Sequence, residues 1–181
     1  MTQEAQPPAR AARWRRAAAV GLTFRRMTDA DLPFFARLYA STRADELAPV
    51  PWSADEKAAF LDMQFRAQHV YYRQHFADAD WLVILRAGEP VGRLYLEDLK
   101  DDLHVIDIAL LPQHRRLGLG GALMQDLLDE AAAGPKGVTI HVEKNNPAMR
   151  LYRRLGFTLL EDQGVYDFMR SIPPVQVNTA S

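Results

Sequence analysis

One stretch limits what this chain can fold into: Val105 to Ala133, VIDIALLPQHRRLGLGGALMQDLLDEAAA. It opens with an apolar run, Val105 to Leu111, short and β-branched at its start, which predicts a buried strand. It then turns through a basic, glycine-rich bend, His114 to Gly121. Beyond the bend Leu119, Leu123 and Leu127 recur every fourth residue, with Gln125, Asp126, Asp129 and Glu130 opposite, the pattern of an amphipathic helix. Gly118, Gly120 and Gly121 crowd the start of that helix, where each costs roughly 1 kcal/mol against alanine. Glycine there is explained if something approaches the backbone more closely than a Cβ allows. A helix N-terminus offers unpaired N–H groups and a partial positive charge. Arg115 and Arg116 stand beside it. The bend therefore suits a phosphate or pyrophosphate.

The rest of the chain supplies a sheet for this element to sit on. Leu22 to Met27 predicts a first strand, and Thr28 or Asp29 caps a helix over Ala30 to Arg43 with Leu32, Phe35, Leu38 and Tyr39 on its buried side. Ala48-Pro49-Val50-Pro51 stops any helix. Ser53-Ala54-Asp55-Glu56 is a capping box that opens a second helix running to about Phe76. That helix carries one stripe of Leu61, Phe65 and Tyr72. A second stripe, Phe60, Gln64, Gln68, Tyr71 and His75, mixes rings with amides and suits a surface that meets a polar small molecule. Trp81 to Leu85 and Val91 to Glu97 form a hairpin around Gly88-Glu89-Pro90, and Leu103 to Leu111 completes a meander. Gly134 to Gly137 ends the amphipathic helix. Val138 to Val142 follows a helical crossover, so it runs parallel to the strand ending at Leu111. Asn146-Pro147 caps a short helix to Leu155. Phe157 to Glu161 and Val165 to Arg170 close the chain as a hairpin around Gln163-Gly164. The order predicts an α/β fold, a mixed sheet with helices on both faces.

At 181 residues with 48% hydrophobic composition the chain makes one domain with a proper core. Residues 21–171 are expected to form it. Residues 1–20 are rich in Ala, Pro and Arg, and a flexible basic extension is expected there; the Arg-rich, acid-poor composition also resembles an organellar transit peptide. Residues 172–181 read as a loose tail. A net charge of −1 gives no global field for nucleic acid or an anionic membrane, so neither is an expected partner. The absence of cysteine excludes a disulfide scaffold, a cysteine thiolate nucleophile and a thiolate metal site. The expected location is cytoplasmic, although cysteine usage leaves the compartment open. No apolar run reaches the ~20 residues that span a bilayer.

Two segments carry the function when read together. One is Arg115-x-x-Gly118-x-Gly120 on a strand-to-helix bend. The other is Asn145-x-x-Ala148-x-x-Leu151-Tyr152-x-x-x-Gly156-Phe157 after a parallel strand. In this order and context they resemble the GNAT superfamily of acyl-CoA-dependent N-acetyltransferases, over about Leu22 to Ser171. The resemblance implies a mostly antiparallel sheet of six to seven strands whose central parallel pair splays around acetyl-CoA, the co-substrate. It implies that backbone groups of Ile108, Ala109, Leu110 and Leu111 hold the pantetheine arm as an extra strand would. Amides of Leu117, Gly118, Leu119, Gly120, Gly121 and Ala122 are then expected to cradle the pyrophosphate, with Arg115 and Arg116 close by. Asn145 matches the position whose amide meets the pantetheine arm. Many relatives pair into dimers, so a homodimer is one expectation.

The chemistry needs a neutral amine, a polarised thioester and an acid for the departing thiolate. Tyr152 matches the family tyrosine near the coenzyme sulfur and is expected as that acid. The base is open. Asp107, a carboxylate in an apolar strand, is either a structural hydrogen-bonding group or the group that meets the acceptor amine. His104 is a second candidate, but in a regular strand it has the opposite parity and faces the other side. Glu97 and Asp102 at strand ends are further candidates, and His141 and Glu143, which share a face of the neighbouring strand, are expected to line the gap. Gln64, Gln68, Tyr71 and His75 are expected to line an acceptor pocket. The acceptor is expected to be a small-molecule amine, with a protein or peptide amine, or acyl-CoA binding without turnover, as alternatives. Scattered histidines without ligand spacing do not suggest a metal.

Overall fold

The computed structural model describes residues 8–172. Seven strands form one mixed sheet in the order β1-β2-β3-β4-β5-β7-β6. They are β1 (Leu22–Arg26), β2 (Asp80–Arg86), β3 (Glu89–Asp98), β4 (Asp102–Leu110), β5 (Gly137–Glu143), β6 (Thr158–Gln163) and β7 (Tyr166–Ser171). Only β4 and β5 are parallel, joined by helix α4 (Leu119–Ala132) as the crossover. The closing hairpin folds back so that β7, not β6, pairs with β5. Ala87 and Gly88, both with positive φ, make the β2–β3 turn, one residue earlier than the Gly-Glu-Pro signal suggests. The positive φ values are those of the primed two-residue turns that fit strand twist.

Each face of the sheet carries its own core. On one face α4, the short α1 (Arg15–Ala19) and α5 (Met149–Arg154) cover Leu82, Ile84, Leu94, Val105 and Ile140. On the other, α2 (Leu32–Leu47) and α3 (Ala54–His75) cover Val83, Trp81, Tyr95 and Ile106 through Phe35, Leu38, Phe65 and Tyr72. The Ser53–Glu56 capping box forms as its sequence predicts. None of the described helices is long and apolar enough to cross a membrane.

The N-terminal segment corrects the expectation of a loose extension for its described part, residues 8–20; residues 1–7, like 173–181 of the predicted tail, lie outside the described residues. Trp14 is 1% exposed, packs edge-on to Phe24 at 4.8 Å and donates its indole N–H to Glu130 at 2.7 Å. Arg10 pairs with Asp80 and Glu130 at 3.0 and 2.9 Å. Asp126 is buried, and its carboxylate accepts the N–H groups of Arg16 and Ala17, capping α1. The face of α4 that reads as solvated is thus covered by the basic segment that reads as free. Opposite charges more than 100 residues apart in sequence explain both errors at once.

Trp14→Ala therefore removes a core side chain rather than a tail residue. The expected loss is about 3 kcal/mol or more. It is to be read as a lower urea midpoint with an unchanged slope.

Candidate active site

The β4–β5 ladder is short. Pairing runs from Asp102↔Gly137 to Val105↔Ile140 and stops there. The cause is visible on the opposite edge of β4. Leu96 pairs with Val105 and Tyr95 with Asp107, so Ile106 is an extra residue, a bulge that bends the strand. Beyond it β5 keeps its ladder with β7 to Glu143, while Ile106 to Leu110 has no strand on that side. The bulge also resets parity. His104 contacts Phe76 while Asp107 meets Tyr72, both on the α3 side of the sheet, so the expectation of opposite faces fails. Along the open edge lie Ile108, Ala109 and Leu110. Leu111 is excluded from the expected set: its N–H bonds Val91 and its carbonyl accepts from His114.

The bend after β4 ends at an open helix tip. Gly118 is the N-cap with φ 79°, and neither a side-chain cap nor an acid in the first turn occupies the end. Arg116 also takes a positive φ of 60°. A Cβ on Gly120 would meet nothing within 4 Å, whereas one on Gly121 would touch Leu151 of α5 at 3.5 Å. So Gly118 serves the backbone turn, Gly120 leaves open surface and Gly121 serves packing. The N–H groups of Leu119 to Gly121 form the first turn and have no partner within the helix. The Ala122 N–H is different: it makes the first intrahelical bond, to Gly118, and is not available to an anion. Arg115 does not face the tip either. Its guanidinium donates to the Leu110 carbonyl at 2.8 Å and to Ser41 of α2 at 3.2 Å.

At the base of the open edge sits a buried polar cluster. Asp107 accepts from Arg93 at 2.7 Å and from the Tyr72 hydroxyl at 3.3 Å. The same Arg93 nitrogen donates to Gln68 at 2.9 Å. Arg93 is 3% exposed and lies over the Tyr95 ring. Burial is the largest influence and opposes its charge, but Asp107 together with Tyr95 and Tyr72 more than offsets it, so the guanidinium stays protonated. Burial, then the same carboxylate, drives the Tyr72 phenol far above its usual range. Such a pair contributes little net stability against apolar side chains of equal size, yet breaking it costs about 3–5 kcal/mol.

Tyr152 lies on α5, 4% exposed and edge-on to Phe157 at 5.7 Å. Burial first, and then the field of Asp107, keep its hydroxyl protonated well above the ordinary phenol range. A phenol held protonated remains a hydrogen-bond donor. Asn145 is exposed and lines a cleft of about 330 Å³ with Arg43, Glu46, Glu143, Lys144 and Val165. Asn146 accepts from the Ala148 N–H at 2.8 Å, which caps the turn into α5.

The remaining candidates separate into two groups. His104 is buried, with Nδ1 on the Thr139 hydroxyl at 2.9 Å and its ring against His141. Burial, then the neighbouring His141, push its pKa down to about 4, so it is neutral and weakly basic. Asp102 is bound by Arg170 at 2.6 Å, and His141 stacks on Phe168 at 4.4 Å. On α3, Gln64 accepts from Tyr39 at 3.2 Å and Gln68 belongs to the Arg93 cluster. Tyr71 and His75 instead stack on one another at 4.0 Å on exposed surface, and Tyr71 meets the cluster only at the Tyr72 ring, 6.1 Å away. Arg93, Tyr72 and Arg43 were not anticipated. Arg93 did carry a signal, a charge inside the apolar run Val91 to Leu96, the same anomaly that marks Asp107.

Residues 39–157 match the model of the acetyltransferase (GNAT) family. The chain belongs to that family. An N-alpha-acetyltransferase of Sulfurisphaera tokodaii is 40% identical over 57 residues, 30% of this chain and 34% of the relative, so the match spans about a third of that relative's length. Among solved structures, the paia N-acetyltransferase from Thermoplasma acidophilum in complex with coenzyme A superposes with TM-score 0.62 and 14% identity, over 83% of this chain and 98% of that one. The ribosomal-protein-S18-alanine N-acetyltransferase from Escherichia coli gives 0.54 and 22%, over 83% and 93%. At these identities the likeness concerns the fold.

Because the unfolded imidazole titrates near 6.5 and buried His104 near 4, the unfolded chain binds the extra proton between those values. Stability should fall as pH drops through this window, by on the order of 3 kcal/mol at most from this group. His104→Gln is expected to flatten the slope of melting temperature against pH between 6.5 and 4, measured by calorimetry beside the parent protein.

Proposed function

We propose that the chain is an N-acetyltransferase that moves an acetyl group from acetyl-CoA to a primary amine of a small molecule, by direct attack in a ternary complex. The observation that carries this reading is one juxtaposition. The β4–β5 ladder ends at Val105–Ile140, and the edge so freed leads straight to the uncapped glycine tip of α4. An open strand edge suits the amide-bearing pantetheine arm, and the tip suits the pyrophosphate.

The residues fit the donor as follows. N–H groups of Leu119, Gly120 and Gly121 face the diphosphate, and the Gly120 surface admits it without a clash. Backbone groups of Ile108 and the Leu110 N–H, not Ala109, which pairs with Arg93 of β3, line the arm, with Asn145 across the gap. In the reaction the amine nitrogen attacks the thioester carbon, the carbon–sulfur bond breaks, the nitrogen loses a proton and the sulfur gains one. A backbone N–H of the open edge, near Leu110, is the group that polarises the carbonyl. Tyr152 supplies the proton to sulfur. Asp107, already paired with Arg93, orients the acceptor rather than stripping it. No strong base then stands at the site, and the acceptor loses its proton to water.

A compact acceptor is favoured because α2 is fixed by its buried Phe35, Leu38 and Tyr39 and is linked to Leu110 through Arg115. A second reading, acetylation of a peptide N-terminus, is favoured by the partial match to the N-alpha-acetyltransferase.

Three measurements test the proposal. Calorimetry should show acetyl-CoA binding that Gly120→Val weakens by at least tenfold with the fold intact; absence of binding to the parent protein overturns the reading. Tyr152→Phe should lower kcat in a thiol-release assay by on the order of 10²-fold while coenzyme affinity holds. The log of kcat/KM should rise with pH along a single limb toward the acceptor ammonium, ~10 for a simple amine, with no falling limb from Tyr152.

A further inference from the structure

Glu143 is the last residue of β5, beyond the point where that strand leaves β4. Its carboxylate takes both terminal nitrogens of Arg43, at 2.7 and 3.1 Å, and the Tyr166 hydroxyl at 3.2 Å. Arg43 comes from α2, rests on the Tyr39 ring and also meets Glu46 at 2.9 Å. Arg43 and Glu143 both line the cleft that Asn145 lines. Their pairing is not what anchors α2, since Phe35, Leu38 and Tyr39 of that helix are buried in the core. The pair is bidentate, and its side chains keep 23% and 18% exposure, so solvent reaches it.

A guanidinium fork is made to hold a planar carboxylate, and it accepts one carboxylate in place of another at little cost. Glu143, released, is then an acceptor for an ammonium group. A molecule carrying both charges exchanges with the pair and leaves no charge unmatched. The other nearby cation, Lys144, is already held by Asp162 and Asp167.

We propose that Arg43 and Glu143 select the acceptor, which is a small amine that also carries a carboxylate, of the α-amino acid type. The carboxylate takes the Arg43 fork and the ammonium takes Glu143 on its way to the thioester. This rests on the acetyl-transfer reading and names its substrate class.

The test compares α-amino acids with their own α-amides, which keep the amine and lose the carboxylate, by thiol release with acetyl-CoA. The parent protein should favour the acid by roughly 10- to 100-fold in kcat/KM. Arg43→Gln should erase the preference by raising KM for the acid, Arg43→Lys should keep part of it, and Glu143→Gln should raise KM for both forms. Calorimetric affinity for acetyl-CoA should be the same in all variants, which also shows that they fold. Equal use of acid and amide by the parent, better use of a peptide with a blocked C-terminus, or no turnover of any amino acid overturns the proposal. So does an Arg43→Gln variant that lowers kcat on both forms without moving KM, the mark of a strut. Failure of the parent to bind acetyl-CoA would instead sink the acetyl-transfer reading beneath it.

Discussion

A single unpaired residue governs the rest of this molecule. Ile106 has no partner on β3, and the strand that contains it bends away from β5. Without that bend the parallel pair would continue hydrogen-bonded to its end, and the sheet would offer no backbone to a ligand. The bulge leaves a row of peptide groups without a strand on one side, a costly state in a closed interior but a useful one beside a gap. It also swings Asp107 onto the face that His104 occupies, where α3 and Arg93 can meet it. Geometry of one peptide unit thus sets the cleft, the polar cluster at its base and the access to both.

Charge is used in two different ways around this frame. The Arg93–Asp107 pair is enclosed and braced by Tyr72 and Gln68, with the Arg93 Nε left without a partner among the described residues. Its value lies in orientation, since buried pairs seldom stabilise more than apolar packing does. The Arg43–Glu143 pair lines the cleft and joins α2 to the end of β5. On the far side of the sheet the Arg-rich first segment binds the acidic face of α4 through Arg10, Arg16 and the Trp14 indole. There electrostatics serves assembly, and the apolar Trp14 turns a charge match into core.

Local chemistry was legible residue by residue. The glycines and leucines of the Gly118 to Leu127 segment announce an open helix start on a buried helix face, and the helix forms with its tip uncapped. The Ser53–Glu56 box sets a helix start to the residue. The parallel β4–β5 pairing follows from an obligatory crossover. These succeed because their causes lie within a few residues of one another. Tyr71 and His75 share a helix stripe with Gln64 and Gln68, yet only the amides join the buried side-chain contacts, because helical periodicity gives a direction and not a neighbour.

What the sequence determined by itself is the list of elements from β1 onward, their order, and a glycine-tipped helix suited to a diphosphate. What the tertiary structure alone decided is every contact that closes between distant segments: the parity change at Ile106, the guanidinium that holds Asp107, the fork of Arg43 on Glu143, and the burial of Trp14. The reason is physical. Helix caps, turns and amphipathic faces are set by short-range sterics and hydrogen bonds that a window of sequence contains. A bulge or an ion pair is set by which strand or helix happens to lie alongside, and that is known only once the chain has packed.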